Sequence, residues 1–572
     1  MNKLILFFSC LLLLSWCGSM GGYFAAHQVL SPAEPAMHIS CASMILEGAE
    51  PYIDFVDNAT PLLLYLFTMP VLLSKLCYLH PVLIFNLLIV LLTIGIFSVV
   101  IFAIRQSGRK GLPVLFYLPA LTVSLVICQA YFLADFGQES MVFMLLFLPY
   151  LLERYLTSTG AREPEQKPNS TLRKIIAGVL AAFGLLLNPV FLLAAPAVEL
   201  ICLTGLGDVT VGKLKRRYLG VELYACLAAL LFTGAVIYFS APLVVVTYLG
   251  PITSLNWLSY DYFYDNLGFV GKSPDRRDLI YAFVVFFIMA LPAAGRCLLV
   301  RLMCAMSALG FIWLVCSGTV YTYQAFIMTA FAICAFCLAL SRYLRSMRFT
   351  HRVARLLGRA GEQAGRLYIW QRKQPQLKTA LVVALPVLCF AAVNYFSLKN
   401  VASDQYFSLV NINYYGFGLK HDLSFFSDVV EKNSEAKDLV WIFSQHARPG
   451  FPLITQLRRR PGYLVWGFPL HTLKILHERS TPAQAASLVQ FEALMYDHLR
   501  SELNSVRPPK LILIEDSEIW ESLKAAGICA TVQDKYESLE PLSPMNGEEI
   551  ERHPPFEYIG HRVSFSAFKL RR

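Results

Sequence analysis

Carboxylates are costly in apolar surroundings, yet the chain gathers five of them, Glu34, Glu47, Glu50, Asp54 and Asp57, in one segment near its start. A positioned carboxylate can take a proton from a hydroxyl or hold a cation. Glu47 and Glu50 read as solvated acids. Asp54 and Asp57 differ, because they lie between Pro51-Tyr52 and Pro61 in an otherwise apolar stretch, where an acid needs a partner, a metal or a reaction. Glu34, in Ala33-Glu34-Pro35, stands at the start of an interfacial helix predicted over 36–47, opened by Pro35 in the favoured first turn and ended near Gly48. A second group follows at Asp135, Gln138 and Glu139. Asp135 and Glu139 share one face if the segment is helical and can then hold one cation, with helix capping as the competing use. A phosphate needs positive charge, for which Lys75, Lys272, Arg276 and Arg277 are available. Arg276 and Arg277 are the candidates for bidentate phosphate contacts; ordinary headgroup contact is their other reading.

These residues must be positioned by membrane-embedded elements. Of the 572 residues, 56% are hydrophobic and only 15% are charged, and the mean hydropathy is +0.53. That excludes a soluble protein. Apolar runs predict about eleven spans, near 3–20, 82–104, 112–133, 140–157, 175–187, 190–204, 219–241, 278–295, 301–318, 322–341 and 378–397. A further apolar stretch, 61–76, follows Pro61 and either lies along the membrane surface or enters it. Asn188-Pro189 interrupts a stretch too long for one span, and basic residues flank both its ends (Arg173, Lys174; Lys213, Lys215, Arg216, Arg217), so a tight helical hairpin is expected. The formal charge of +10 does not mark a nucleic-acid partner, because Lys and Arg lie mainly in short segments between apolar runs. Ten of them fall within 342–378. The bias predicts an inward N-terminus, with 21–81, 242–277 and everything beyond 398 outside. Residues 1–20 are either a cleaved signal or a first span. The aromatic run Trp257, Tyr260, Tyr262, Phe263 and Tyr264 fits interfacial anchoring. The tail alternates β-rich runs at 438–443, 510–514 and 528–533 with helical patterns at 482–504 and 517–526. It predicts a small α/β domain with a partly parallel sheet. The expected division is therefore 1–397 in the membrane and 398–572 as an extracytoplasmic domain. The tail has no Gly-rich phosphate loop, nucleophile elbow or HExxH, so it is assigned no chemistry.

The stretch from Leu46 to Tyr65, containing Leu46-Glu47-Gly48-Ala49-Glu50-Pro51-Tyr52-Ile53-Asp54 and Pro61-Leu62-Leu63-Leu64-Tyr65, resembles the first-loop pattern of GT-C glycosyltransferases. The likeness is to the bacterial branch related to protein O-mannosyltransferases and the aminoarabinose transferase of lipid A. Weaker echoes lie at 135–154 and 319–340; Tyr321-Thr322-Tyr323-Gln324 lacks the histidine often found there. The resemblance implies a sugar transferase with many spans and an outward C-terminal domain. Members usually carry an Asp, often Asp-Glu, at the start of the interfacial helix as catalytic base or acceptor-positioning group; that position is Glu34 here, with proline in place of the paired acid. The resemblance thus implies catalytic roles for Glu34 and Asp54, substrate contacts for Tyr52 and Asp57, and a divalent metal or donor phosphate near Asp135 and Glu139. Helix-dipole compensation is the other reading of Glu34.

Two functions are expected from this. The first is inverting transfer of a sugar from a polyprenyl-phosphate donor to an acceptor not encoded in the sequence, at the outer face of a bacterial inner or plasma membrane, with membrane lipids and no nucleic acid as further partners. The second is a non-catalytic membrane protein, either a transporter of lipid-linked glycan or a degenerate transferase kept as an assembly partner. The altered acidic pair favours degeneration. A transporter should concentrate polar features at mid-membrane, and the weight here lies in the outward loops.

Overall fold

A computed structural model describes residues 2–26, 32–106, 117–131, 136–158, 168–204, 220–253, 274–317, 325–345, 424–444, 450–465, 470, 473, 480, 482–515, 518–539 and 565–571. Expectations for the span at 378–397, the aromatic run 257–264, Lys272, Asp135 and 321–324 fall outside the described residues. The chain divides into two compact units. One draws on 1–23, 88–234 and 267–403, and the other on 24–87, 235–266 and 404–572.

Among the described residues, six helices are long and apolar enough to cross a membrane: Ile5–Gly22, Pro81–Arg105, Glu139–Ser158, Val221–Ser240, Leu298–Val315 and Ala325–Tyr343. Shorter apolar helices cover Pro61–Cys77, Leu118–Gln129, Pro189–Leu203, Pro242–Ile252 and Phe283–Ala294. The chain is an integral membrane protein, mostly helical, with a small C-terminal sheet. The Val221–Ser240 helix exposes Leu227, Leu231, Phe232, Val236 and Phe239, a surface that only lipid solvates without cost.

In the first unit the hairpin at Asn188-Pro189 is present. Helix Pro168–Leu186 ends there, and a 3-10 turn, Pro189–Leu193, leads into helix Ala194–Thr204. Asn188 caps the turn by accepting from Val190 N–H at 3.0 Å, and Pro189 takes the first position, where no N–H is required. The Glu139–Ser158 helix serves as a ruler beside it. Asn188 reaches its Glu139 end, while Arg173 and Glu199, on the two arms, both reach its Glu153-Arg154 end. Both arms therefore return to the same end. Arg154 is buried at that end and pairs with Glu199 and, at 3.2 Å, with Glu222. Arg173 pairs with Glu153 at 2.5 Å. Gly178 and Gly220 make room: a Cβ at Gly178 would stand 2.2 Å from the Glu222 carbonyl oxygen, and one at Gly220 would stand 2.6 Å from the Arg154 guanidinium.

In the second unit the sheet has the order β1-β2-β4-β3, from Val440–Phe443 (β1), Leu511–Glu515 (β2), Tyr536–Ser538 (β3) and Phe565–Leu570 (β4). β1 and β2 are parallel, in register from Val440 opposite Leu511 to Phe443 opposite Ile514, and the long helix Pro482–Leu503 lies in the crossover that parallel pairing demands. Both strands are buried throughout, as their unbroken apolar runs require. β4 pairs antiparallel with β2 and β3, so the sheet is partly parallel as expected. One expected strand is wrong. Residues 528–533 lie in the helix Ile528–Lys535, because Gly527, at φ 74°, restarts the chain and Ile528, Cys529 and Val532 then bury on one helical face.

Candidate functional site

The acidic first loop is built between two helices of the second unit, Ala33–Ile45 and Pro61–Cys77. The first starts three residues earlier than predicted, which leaves Glu34 and Pro35 both inside its first turn; there the proline's missing N–H costs no hydrogen bond, and an acid meets the positive end of the helix. Gly48, at φ 99°, ends it, and Ala49 N–H donates back to Met44 O at 3.0 Å. The helix is covered by protein. Pro35 to Ala42 and Met44 are all buried, and the helix packs on both Pro61–Cys77 and the tail helix Gly450–Gln456, in keeping with its all-round apolar surface.

Thr455 and the first loop's helix are joined by a directed pair of hydrogen bonds. Thr455 Oγ1 donates to Ala36 O at 2.6 Å, so it accepts from Ser40 Oγ at 2.7 Å. Farther along, Val56 N–H donates to Tyr463 O at 2.9 Å, and Val56 bridges to Leu464. Loop and tail thus belong to one body.

Inside this frame each acid has a distinct position. Glu34 is half-buried at the helix start. Asp54 is exposed in a tight turn, where its Oδ2 accepts from Glu50 N–H at 2.7 Å and its own N–H returns to Glu50 O. Glu47 and Glu50 are exposed, as expected of solvated acids. Tyr52 bends the chain at φ 64°, and its buried hydroxyl donates to Ala59 O at 2.5 Å, with the ring 5.5 Å from that of Tyr248. That hydroxyl is occupied within the loop. Asp57 is fully buried. Its Oδ1 accepts from Ala59 N–H at 2.8 Å, and its Oδ2 lies 3.3 Å from both His38 Nδ1 and Cys41 Sγ. Burial alone would raise the Asp57 carboxyl, but the neighbouring His38 and these donors hold it below the usual carboxylate range. Burial likewise would lower His38, and Asp57 first, then Glu34, raise it above the ordinary imidazole value. His38 is the site residue that sequence reasoning missed. Its only signal was the four-residue offset from Glu34, which places both on one helix face.

Glu139 lies in the first unit, where its Oε1 accepts from Asn188 Nδ2 at 2.8 Å. Arg276 and Arg277 are in the first turn of helix Pro274–Ala294, also in that unit. Among the described residues no three His, Cys, Asp or Glu side chains converge as a metal site. Asp135, the expected partner of Glu139, lies outside the described residues, and the reaction proposed below takes no step through a metal.

Beside the loop, Glu502 is half-buried and accepts from Tyr463 N–H at 2.9 Å and Trp441 Nε1–H at 3.0 Å. Burial outweighs these donors and pushes its carboxyl up to about 7 from the ordinary 4.5. A raised folded-state value means the stabilising contribution is complete below pH 4.5 and disappears as pH climbs through about 7. Melting temperature, followed by tryptophan fluorescence in detergent, should therefore fall across that window. Glu502→Gln, which does not titrate, should flatten the fall; an unchanged slope would assign the pH response elsewhere.

No family model matches the sequence, and no curated protein matches it. Among solved structures, the chain is similar to the oligosaccharyltransferase of Archaeoglobus fulgidus. The apo form aligns at 11% identity and TM-score 0.46, over 95% of this chain and 73% of that one. The archaeal oligosaccharyltransferase AglB from the same organism, in complex with an inhibitory peptide and a dolichol-phosphate, aligns at 10% identity and TM-score 0.44, over 93% and 73%.

Proposed function

We propose that the protein is a GT-C-type glycosyltransferase that moves a sugar from a polyprenyl-phosphate donor to an acceptor hydroxyl at the outer face of the membrane. The observation that supports this best is the first loop: a carboxylate at a helix N-terminus, Glu34, beside a loop whose Leu46–Tyr65 sequence resembles that of such transferases and whose backbone is pinned by Tyr52, Asp57 and Val56. Fixed geometry is what a base needs, since a group held near its target makes the proton transfer effectively intramolecular.

In the reaction, Glu34 takes the proton of the acceptor hydroxyl while its oxygen attacks the anomeric carbon of the donor. The bond from that carbon to the phosphate oxygen breaks, the electron pair leaves with the polyprenyl phosphate, and the anomeric centre inverts. Asp54, exposed on the same loop, orients the acceptor. Tyr52 and Asp57 act by shaping the loop. The first loop and the C-terminal domain face the non-cytoplasmic side of a bacterial inner or plasma membrane, where lipid-linked donors are presented.

The test is sugar transfer by the purified protein in lipid, with a panel of polyprenyl-phosphate sugars and screened acceptors. Donor-dependent release of polyprenyl phosphate with product formation supports the reading. No turnover with any donor and acceptor would reject it in favour of a non-catalytic partner.

A further inference from the structure

The reaction above gives His38 no task and uses Asp57 only to shape the loop, although His38 stands one helical turn from the base. His38 follows Glu34 by four residues on the Ala33–Ile45 helix, so the two side chains share a face. Its side chain is 8% exposed and lies 3.3 Å from a carboxylate that is wholly buried and is itself held by Ala59 N–H. The Phe67 ring packs against it edge-on at 5.3 Å from the Pro61–Cys77 helix. Among the described residues, the charged groups acting on the imidazole are Asp57 from the loop and Glu34 from its own helix, with Cys41 and Tyr52 beside the same carboxylate; the tail helix Gly450–Gln456 presents the uncharged Thr455 to this helix, and Phe67 is apolar. A buried carboxylate paired with only a neutral ring would carry an uncompensated charge, which is far costlier than the ion pair.

We propose that His38 is a positioning residue for Glu34: a buried imidazolium, anchored by Asp57, that keeps the Glu34 carboxylate ionised and fixed on the face where acceptor binds. This rests on the reading of Glu34 as the base. The order is a line of alternating charge, Asp57 negative, His38 positive, Glu34 negative, in which the middle group needs both flanks. The raised imidazole and lowered Asp57 agree with it.

Two measurements test it on the full-length protein in lipid. The first is the pH dependence of kcat/KM in wild type and in His38→Asn, which keeps a donor toward Asp57 but has no charge. Loss of an opposite charge at this range should move the acid limb up by roughly one pH unit or more. Activity of His38→Asn should then recover toward wild type above the limb, which a merely damaged fold would not do. The second is deuterium exchange at the histidine C2 position, read by mass spectrometry on the peptide containing His38, which needs no substrate. The midpoint should lie above the ordinary 6.5 of histidine and drop in Asp57→Asn and, by less, in Glu34→Gln. A midpoint at or below 6.5 overturns the proposal, and so does a loss in His38→Asn that is equal at every pH. If the wild type transfers no sugar, the functional reading fails by itself, and the exchange midpoints still decide whether the charge line exists.

Discussion

Glu34→Gln is expected to lower sugar transfer by roughly 10²–10⁴-fold, the range a general base contributes. The substitution keeps the size of the side chain and its hydrogen-bonding capacity but removes proton acceptance, and the half-buried site at the helix start accommodates either group. Donor affinity should change little, because the lost interaction is made with the acceptor proton in the transition state. Asp54→Asn is the informative companion. The turn uses one carboxylate oxygen as an acceptor for Glu50 N–H, and Asn retains such an oxygen, so the loop survives while the charge is lost. Its effect should be a clear loss that does not add fully to that of Glu34→Gln, as for two groups acting on one acceptor. Glu47→Gln, on the exposed face, should be silent. Wild-type-like turnover in both Glu34→Gln and Asp54→Asn would remove the carboxylate mechanism.

The largest effect on stability is expected at Arg154. Its guanidinium is the shared partner of Glu199 and Glu222, and Glu222 also accepts from Thr157 Oγ1 at 2.9 Å while Glu199 accepts from Tyr150. Arg154→Met leaves two carboxylates with reduced compensation in a low-dielectric setting. Breaking a buried pair from one side typically costs about 3–5 kcal/mol. Arg154→Met should therefore lower the thermal midpoint of the purified protein by many degrees, measured by reactivity of its buried cysteines on heating. Adding Glu199→Gln and Glu222→Gln should return much of the loss, since the penalty comes from the orphaned charges. If the single variant melts like the wild type, the cluster contributes nothing to the fold.

Legibility followed the range of the interactions. The Asn188-Pro189 hairpin was readable because a cap, a first-turn proline and two basic flanks all lie within one local stretch. The Ala33–Ile45 helix was readable from Pro35 and Gly48, although the elements that cover it were not: its sequence does not say which distant segment will pack on it. The strand assigned to 528–533 failed because Ile528, Thr531 and Val532 suit either period, and the left-handed Gly527 decided for the helix. β4 escaped notice because its place between β2 and β3 is set by long-range pairing. In the site, the types of the acids were legible and their environments were not. Asp54 and Asp57 are three residues apart and looked alike, yet one is exposed on a turn and the other is sealed beside His38. The difference arises from a backbone bend at Tyr52, a residue with no local reason to adopt a positive φ.

The hydrogen bonds between Thr455 and both Ala36 and Ser40, and from Val56 to Tyr463, join segments some four hundred residues apart. They set the order in which the protein is born. The ribosome releases the Glu34 helix early, but its partners emerge only near the end of synthesis, roughly 20–80 s later at 5–20 residues per second. Until then Ser40 and the apolar face meant for Gly450–Gln456 have no permanent neighbour, and the loop is a natural client for a chaperone. A nascent chain arrested before residue 450 would hold all the proposed reactive groups and still lack the fixed geometry in which they work together.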